Sequence, residues 1–186
     1  MIHRFPERKR KLPPNERVVC LSRHARKALA VSAASSGVVL GELIKDADGV
    51  PIPSNGCYWC ITHKPSFVGG VVSADPVGLD LEEIKPCHPG LFRKVAIEAE
   101  WELSNAGPYV TFYRFWTAKE ALIKLHGTGL RDMLNCRVTH IPDDRRLALR
   151  YNSLLFEVEH VYFNGHIAAI IPGNPPVHWQ LPDGMS

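Results

Sequence analysis

Asp80 and Glu82, in the run Val77-Gly78-Leu79-Asp80-Leu81-Glu82-Glu83, carry the sharpest chemical signal in this chain. At the two-residue period of a strand both carboxylates point to one face and Leu81 to the other. Two carboxylates held about 6–7 Å apart at the Cα level repel each other unless water screens them or a cation lies between them. Hard oxygen ligands of this kind suit Mg²⁺, which keeps several waters and shares its sites with substrate phosphates. A solvated strand end is the plainer account of the dyad taken alone. Glu120 and Lys124 stand one helical turn apart within Phe112–Gly127 (FYRFWTAKEALIKLHG) and present a carboxylate and an ammonium together. In isolation they make an exposed i,i+4 pair worth about 0.2–0.5 kcal/mol. His63 follows Thr62 and precedes Lys64-Pro65; it reads either as a loop histidine or, helped by Lys64, as a hydrogen-bond donor to phosphate. Cys57-Tyr58-Trp59-Cys60 with His63 has a metal-like spacing. Thiols three apart on a strand point to opposite faces, however, no helix follows directly, and Cys87-His88 is the sole further candidate pair nearby, so buried inert thiols are the reading adopted. Serine-hydrolase elbows, P-loops and dinucleotide fingerprints are absent.

The elements that must position these groups follow from pattern. Phe112, Phe115, Ala118, Leu122 and Leu125 make one apolar stripe, opposed to Trp116, Glu120 and Lys124, and Gly127 stands where a C-terminal cap is expected. A second helix is expected over Leu91–Leu103, and a third over Arg23–Ser35, capped by Ser22. Strands are expected over Val38–Ile44, Cys57–Ile61, Phe67–Ser73 and Val77–Leu81, then over Cys136–Thr139, Leu147–Tyr151, Leu154–Val161 and Ile167–Ile171, with Asn164-Gly165 a hairpin turn and 46–55 a loop. Helix then strands, followed by helices then strands, implies an α+β chain of two halves meeting near residue 75. The division expected is a basic arm at 1–17, a first half at 18–75, a second half at 76–174 and a proline-rich tail at 175–186.

At 186 residues with 45% hydrophobic and 22% charged content, the chain can build a real core. Arg4, Arg8, Lys9, Arg10, Lys11 and Arg17 crowd its start and read as a solvated, mobile arm, or as an attractor for phosphate or an acidic partner. A nucleic-acid reading of that arm lacks any aromatic or helical recognition pattern. No stretch reaches the roughly 18 apolar residues of a membrane span, and Ala28–Leu40 lies too far from Met1 and is too serine-rich for a signal peptide. Five cysteines, an odd number, argue for reduced thiols and a cytoplasmic protein.

Taken together, Val77-Gly78-Leu79-Asp80-Leu81-Glu82 and, some three dozen residues on, Phe115-Trp116-Thr117-Ala118-Lys119-Glu120-Ala121-Leu122-Ile123-Lys124 resemble the signature of the 4′-phosphopantetheinyl transferases. Asn55 through Thr62-His63 is similar to that family's segment ending in Ser/Thr-His, Gly49-Val50-Pro51 to its G-x-P element, and Gly127-Thr128-Gly129-Leu130 to its G-x-G-L. The resemblance spans about residues 23–171, and the length points to the Sfp-type branch. It implies two pseudo-symmetric α+β halves with the active site in the cleft between them. It also implies transfer of 4′-phosphopantetheine from coenzyme A to a serine of an apo acyl or peptidyl carrier protein, with release of adenosine 3′,5′-bisphosphate. By the same resemblance Asp80, Glu82 and Glu120 hold Mg²⁺, with Mn²⁺ the alternative ion. Glu120 or a water it positions is the base, and Lys124 steadies the leaving phosphate. His63, Thr62, Lys119 and Lys124 meet coenzyme A, and Phe92, Val95 and Trp101 meet the carrier. The expected enzyme serves fatty acid, polyketide or nonribosomal peptide biosynthesis as a monomer, without nucleic acid or membrane. Two departures stand out: only about 75 residues precede the metal strand, and Val50 replaces the lysine common in the G-x-P element. Both thin the pocket for adenine and the 3′-phosphate, with Arg4, Arg8–Lys11 or Arg17 as substitutes. They also motivate the alternative, a non-catalytic relative that binds coenzyme A or a carrier without turnover.

Overall fold

The computed structural model describes residues 1–173 and 176–184. Two antiparallel sheets carry one long helix each. Strands β1 (Ile2–Arg4), β2 (Tyr58–His63) and β3 (Phe67–Ser73) form the first, in the order β1-β3-β2. Strands β4 (Gly78–Glu83), β5 (Arg137–Asp143), β6 (Arg146–Tyr151), β7 (Leu154–Phe163) and β8 (His166–Ile171) form the second, in the order β4-β8-β7-β6-β5. The architecture is therefore α+β, as expected. Asn164 and Gly165, both at positive φ (44° and 71°), close the expected two-residue hairpin between β7 and β8.

The start of the chain corrects the mobile-arm expectation. Ile2 pairs with Gly69 and Arg4 with Phe67, while Ile2 and Phe5 are buried. A short helix α1 (Glu7–Arg10) follows, and helix α2 runs Pro14–Ser35, well upstream of its expected start. Pro14 sits within its first two positions, where a missing N–H costs nothing, so the proline pair that seemed to close an arm opens a helix. The Val38–Ile44 strand does not form; Val39 and Ile44 are exposed, and only an isolated bridge joins Lys45 to Pro51.

Helix α5 (Pro108–His126) buries Phe112, Phe115, Ala118 and Leu122 against Leu147, Leu149, Val158 and Ile167 of the five-stranded sheet, and Gly127 ends it in the left-handed conformation at φ 70°. The helix expected over Leu91–Leu103 is broken into a 3₁₀ turn (Pro89–Leu91), α3 (Phe92–Val95) and α4 (Glu98–Trp101). Ala96 is extended at the break, and Glu100 turns its carboxylate back to accept the Ile97 N–H at 3.0 Å. A continuous helix would forgo this local cap for α4.

Both long helices lie unusually close to their sheets, for the same reason. A Cβ at Gly70 of β3 would run into the backbone of Leu29 in α2, and one at Gly78 of β4 into the carbonyl oxygen of Ala121 in α5. Glycine is what permits backbone against backbone at these two crossings. The sheets meet where β2 faces β4: Thr62 Oγ1 donates to Asp80 Oδ1 at 3.2 Å and the Cys60 thiol to the Leu79 carbonyl at 3.7 Å. All five cysteines are free thiols.

Candidate active site

The close approach at Gly78 sets the site, because it lays the Glu120–Lys124 face of α5 over the middle of β4. Asp80 is 2% exposed there. Lys124 Nζ donates to Asp80 Oδ1 at 2.6 Å, to the Leu79 carbonyl at 3.3 Å and to Thr62 Oγ1 at 3.4 Å. Burial alone would lower the Lys124 pKa; the Asp80 charge more than offsets it and holds the ammonium above the usual lysine value. The pair first legible as a surface Glu120–Lys124 bridge is thus a Lys124–Asp80 bridge spanning helix and strand.

Asp80 Oδ2 is buried and accepts no hydrogen bond. A buried carboxylate oxygen left bare costs about 1–3 kcal/mol or more, so the atom asks for a ligand. Glu82, the next residue on that strand face, accepts from Lys64 Nζ at 2.6 Å across the junction of the two sheets. Burial raises the pKa of Glu82, and so does the Asp80 charge; Lys64 and Lys124 oppose the rise. Glu120 is raised by the same two causes in the same order. Three carboxylates and two ammoniums therefore share one neighbourhood, with one negative charge in excess.

That donor set fits a hard divalent cation in kind: it is all oxygen, in net charge excess, with one buried lone pair free. It is not preassembled. Among the described residues no group of three or more His, Cys, Asp or Glu side chains is gathered around one ion position, and an ammonium pairs with one oxygen each of Asp80 and Glu82.

Beside this cluster opens a cavity of about 290 Å³ lined by Lys45, Val50, Trp59, Ile61, Glu120 and Lys124, among others. Asp46 Oδ1 shapes its outer loop by accepting from the N–H groups of Asp48 (3.0 Å) and Val50 (2.8 Å), and Val50 packs over Gly127. Gly49, Val50 and Pro51 thus line one cavity with Glu120 and Lys124. His63 is half-buried at the end of β2; burial, then the Lys124 charge, with Lys64 and Lys45 further, lowers its pKa and favours a neutral imidazole.

Lys119 does not join the site. It is fully buried, donating to Glu100 Oε1 at 2.6 Å and the Val95 carbonyl at 2.7 Å, while Glu100 also accepts from the Val138 N–H at 2.8 Å. It braces α5 against the segment at Val95–Glu100 and β5 instead of meeting phosphate. Val95 corrects a second expectation, being wholly buried with no surface for a carrier. Phe92 and Trp101 are partly buried in the aromatic packing of α5, with ring centroids 4.9 Å from Phe112 and 5.1 Å from Phe115 respectively. None of the arginines and lysines at positions 4–17 lines this cavity: Arg10 donates to Phe5 O, Arg17 to Arg10 O, and Arg4 lies over the Phe67 ring. Lys45 lines the cavity in their stead. Sequence reasoning passed over it, although it is the one cation between Val38 and Asn55. Lys64 was noted only as an aid to His63; its pairing with Glu82 joins positions far apart in sequence.

Fold and site define an α+β protein with an acidic, lysine-bearing cleft where its two antiparallel sheets meet. The sequence model of the 4′-phosphopantetheinyl transferase superfamily matches residues 76–171, just over half of the chain, and the chain belongs to that superfamily. It is 31% identical over 97 residues to 4′-phosphopantetheinyl transferase psf-1 of Bacillus pumilus, which is 50% of this chain and 42% of that protein. It is 28% identical over 98 residues to 4′-phosphopantetheinyl transferase ffp of Bacillus subtilis (50% and 43%), and 30% identical over 95 residues to 4′-phosphopantetheinyl transferase gsp of Aneurinibacillus migulanus (49% and 40%). The matches span less than half the length of these curated relatives. No helix among the described residues is long and apolar enough to cross a membrane.

Proposed function

We propose that this protein transfers the 4′-phosphopantetheine group of coenzyme A to a serine of an apo acyl or peptidyl carrier protein. The observation that carries the reading is the bare, buried Asp80 Oδ2, close to Glu82 and Glu120, whose pKa values burial and then the Asp80 charge raise, beside a lysine-lined cavity. Asp80, Glu82 and Glu120 would hold Mg²⁺, or Mn²⁺ in its place. When bound, the ion supplies neutralisation of charge on the pyrophosphate oxygens of coenzyme A. The serine oxygen forms its bond to the phosphorus next to pantetheine as the bond to adenosine 3′,5′-bisphosphate breaks. The serine proton passes to Glu120, directly or through a water it positions; a raised carboxyl pKa suits that role. Lys124 would steady the leaving phosphate, and Lys45, which lines the cavity, and His63 would meet the remaining phosphate of coenzyme A. The five free thiols fit a reducing cytoplasm, and both halves of the cleft come from one chain, so a monomer suffices. Fatty acid, polyketide and nonribosomal peptide carriers are all within this reading, and neither nucleic acid nor membrane is part of it.

Incubation with coenzyme A labelled on pantetheine, Mg²⁺ and a panel of apo carriers should place the label on the carrier serine. Asp80→Asn should reduce transfer to background while leaving the circular dichroism unchanged. No transfer to any carrier by the folded protein would refute the proposal. One observation favours a second reading, binding without turnover: Lys124 and Lys64 already pair with one oxygen each of Asp80 and Glu82. Calorimetric binding of coenzyme A with no release of adenosine 3′,5′-bisphosphate would decide for it.

A further inference from the structure

The two ammoniums at the acidic cleft are held very differently. Lys124 has three oxygen partners and reaches down onto a buried carboxylate. Lys64 Nζ has Glu82 as its ion-pair partner at 2.6 Å, and its side chain is 32% exposed against 14% for Glu82. Its backbone is fixed independently, because Lys64 N donates to the Phe67 carbonyl at 2.8 Å and closes the β2–β3 turn. The side chain can therefore swing away without cost to the hairpin. Lys85, two residues past the end of β4, is engaged with Glu83 at 2.8 Å.

We infer that Lys64 is an internal counter-ion that stands in for the divalent cation at Glu82 and gives way to it. With Glu82 taken up by a cation, the Lys64 ammonium is left at the cleft next to His63, free to meet a phosphate of the second ligand. One side chain thereby opposes cation binding in the free protein and favours phosphate binding once the cation is in place, which couples the two sites. The inference rests on the proposed reading of the Asp80–Glu82 face as a cation site.

Lys64→Met keeps the aliphatic stem and removes the charge. Titration with Mn²⁺ alone, followed by its electron paramagnetic resonance signal, should show tighter binding by Lys64→Met than by the parent protein, by about two- to fivefold for loss of a partly exposed competing ion pair. The factor by which Mn²⁺ improves the calorimetric affinity for coenzyme A should shrink in the same variant, and Lys64→Arg should keep both parental values. Unchanged or weaker Mn²⁺ binding by Lys64→Met, with the parent protein binding Mn²⁺ normally, overturns this inference alone. A parent protein that binds no Mn²⁺ overturns it together with the cation-dependent reading of the site.

Discussion

Gly78→Ala is the smallest change that separates the cleft from the chemistry it presents. The added methyl meets the carbonyl oxygen of Ala121 and lies 3.1 Å from Leu125 Cβ. The first of these is helix backbone, which cannot swing aside as a side chain would. Helix α5 and strand β4 must therefore part by something on the order of 1 Å, in an interior packed as densely as an organic crystal. Overpacking of this kind costs about 1–3 kcal/mol, a sizeable share of the roughly 5–15 kcal/mol that holds a domain together. Glu120 and Lys124 ride on the displaced helix, and a misplacement of about 1 Å at a reacting centre can cost about 10²-fold in rate. Urea unfolding should show a lower midpoint with an unchanged slope, and carrier labelling at saturating coenzyme A should fall by one to two orders of magnitude, about 10–100-fold. Gly107→Ala is the control: a Cβ there meets nothing within 4 Å, and its φ of −58° suits any residue. It should cost no more than a weakened helix N-cap, about 0.5 kcal/mol. A Gly78→Ala protein that unfolds at the parental urea concentration and labels carrier at the parental rate would refute the close-packing argument.

Lys119→Met should leave the Glu100 carboxylate buried and short of its ammonium, destabilising the fold by about 3–5 kcal/mol in urea unfolding. A Lys119→Met protein of parental stability but raised KM for coenzyme A would return Lys119 to the phosphate role. Lys45→Ala should raise KM for coenzyme A about tenfold in the labelling assay while moving stability by less than about 0.5 kcal/mol, because Lys45 lines the cavity and is exposed. His160 supplies a pH test: burial, then the Arg114 charge, push its pKa down to about 3 from an ordinary value near 6.5. Between those pH values the unfolded chain binds a proton that the folded chain refuses, so this group makes stability fall as pH drops from about 6.5 towards 3, by up to about 1.4 kcal/mol per unit. His160→Gln should lose that part of the slope in urea unfolding measured from pH 6.5 to 4.5; an unaltered slope would count against a histidine buried neutral.

The strands were legible where local pattern and tertiary role agree. Phe67–Ser73 was read with the bounds it has, since a short apolar run between turn formers has no rival local structure, and the same holds for Gly127 and Asn164-Gly165. The expected Val38–Ile44 strand has strand-like residues but joins neither sheet; Val38, Leu40 and Leu43 instead pack against the cluster of Leu29, Trp59 and Val72. The expected Leu91–Leu103 helix had helical spacing throughout, yet Glu100 is more use turned inward to Lys119, Val138 N and Ile97 N than left on a helix surface. A basic composition hid a start in which Ile2 and Phe5 are buried and Ile2–Arg4 pairs with β3, because charge count reports on solvation and not on register.

Lys119 and Lys124 show where such reading stops. Both lie on one helix flanking Glu120, both suit phosphate by type, and a helical wheel puts them on neighbouring faces. What separates them is the charge each face meets. Lys119 meets Glu100 in an interior that excludes water, so it is held by a carboxylate with three further donors and has no surface left. Lys124 meets Asp80, whose second oxygen is bare, at the wall of an open cavity, so its ion pair is incomplete and adjacent to space for a ligand. A buried pair with every lone pair used is structure; a buried pair with one unused is a site awaiting its remaining ligand. The acidic partner decides the role of each lysine, and in both cases it arrives from a part of the chain that helical periodicity cannot reach.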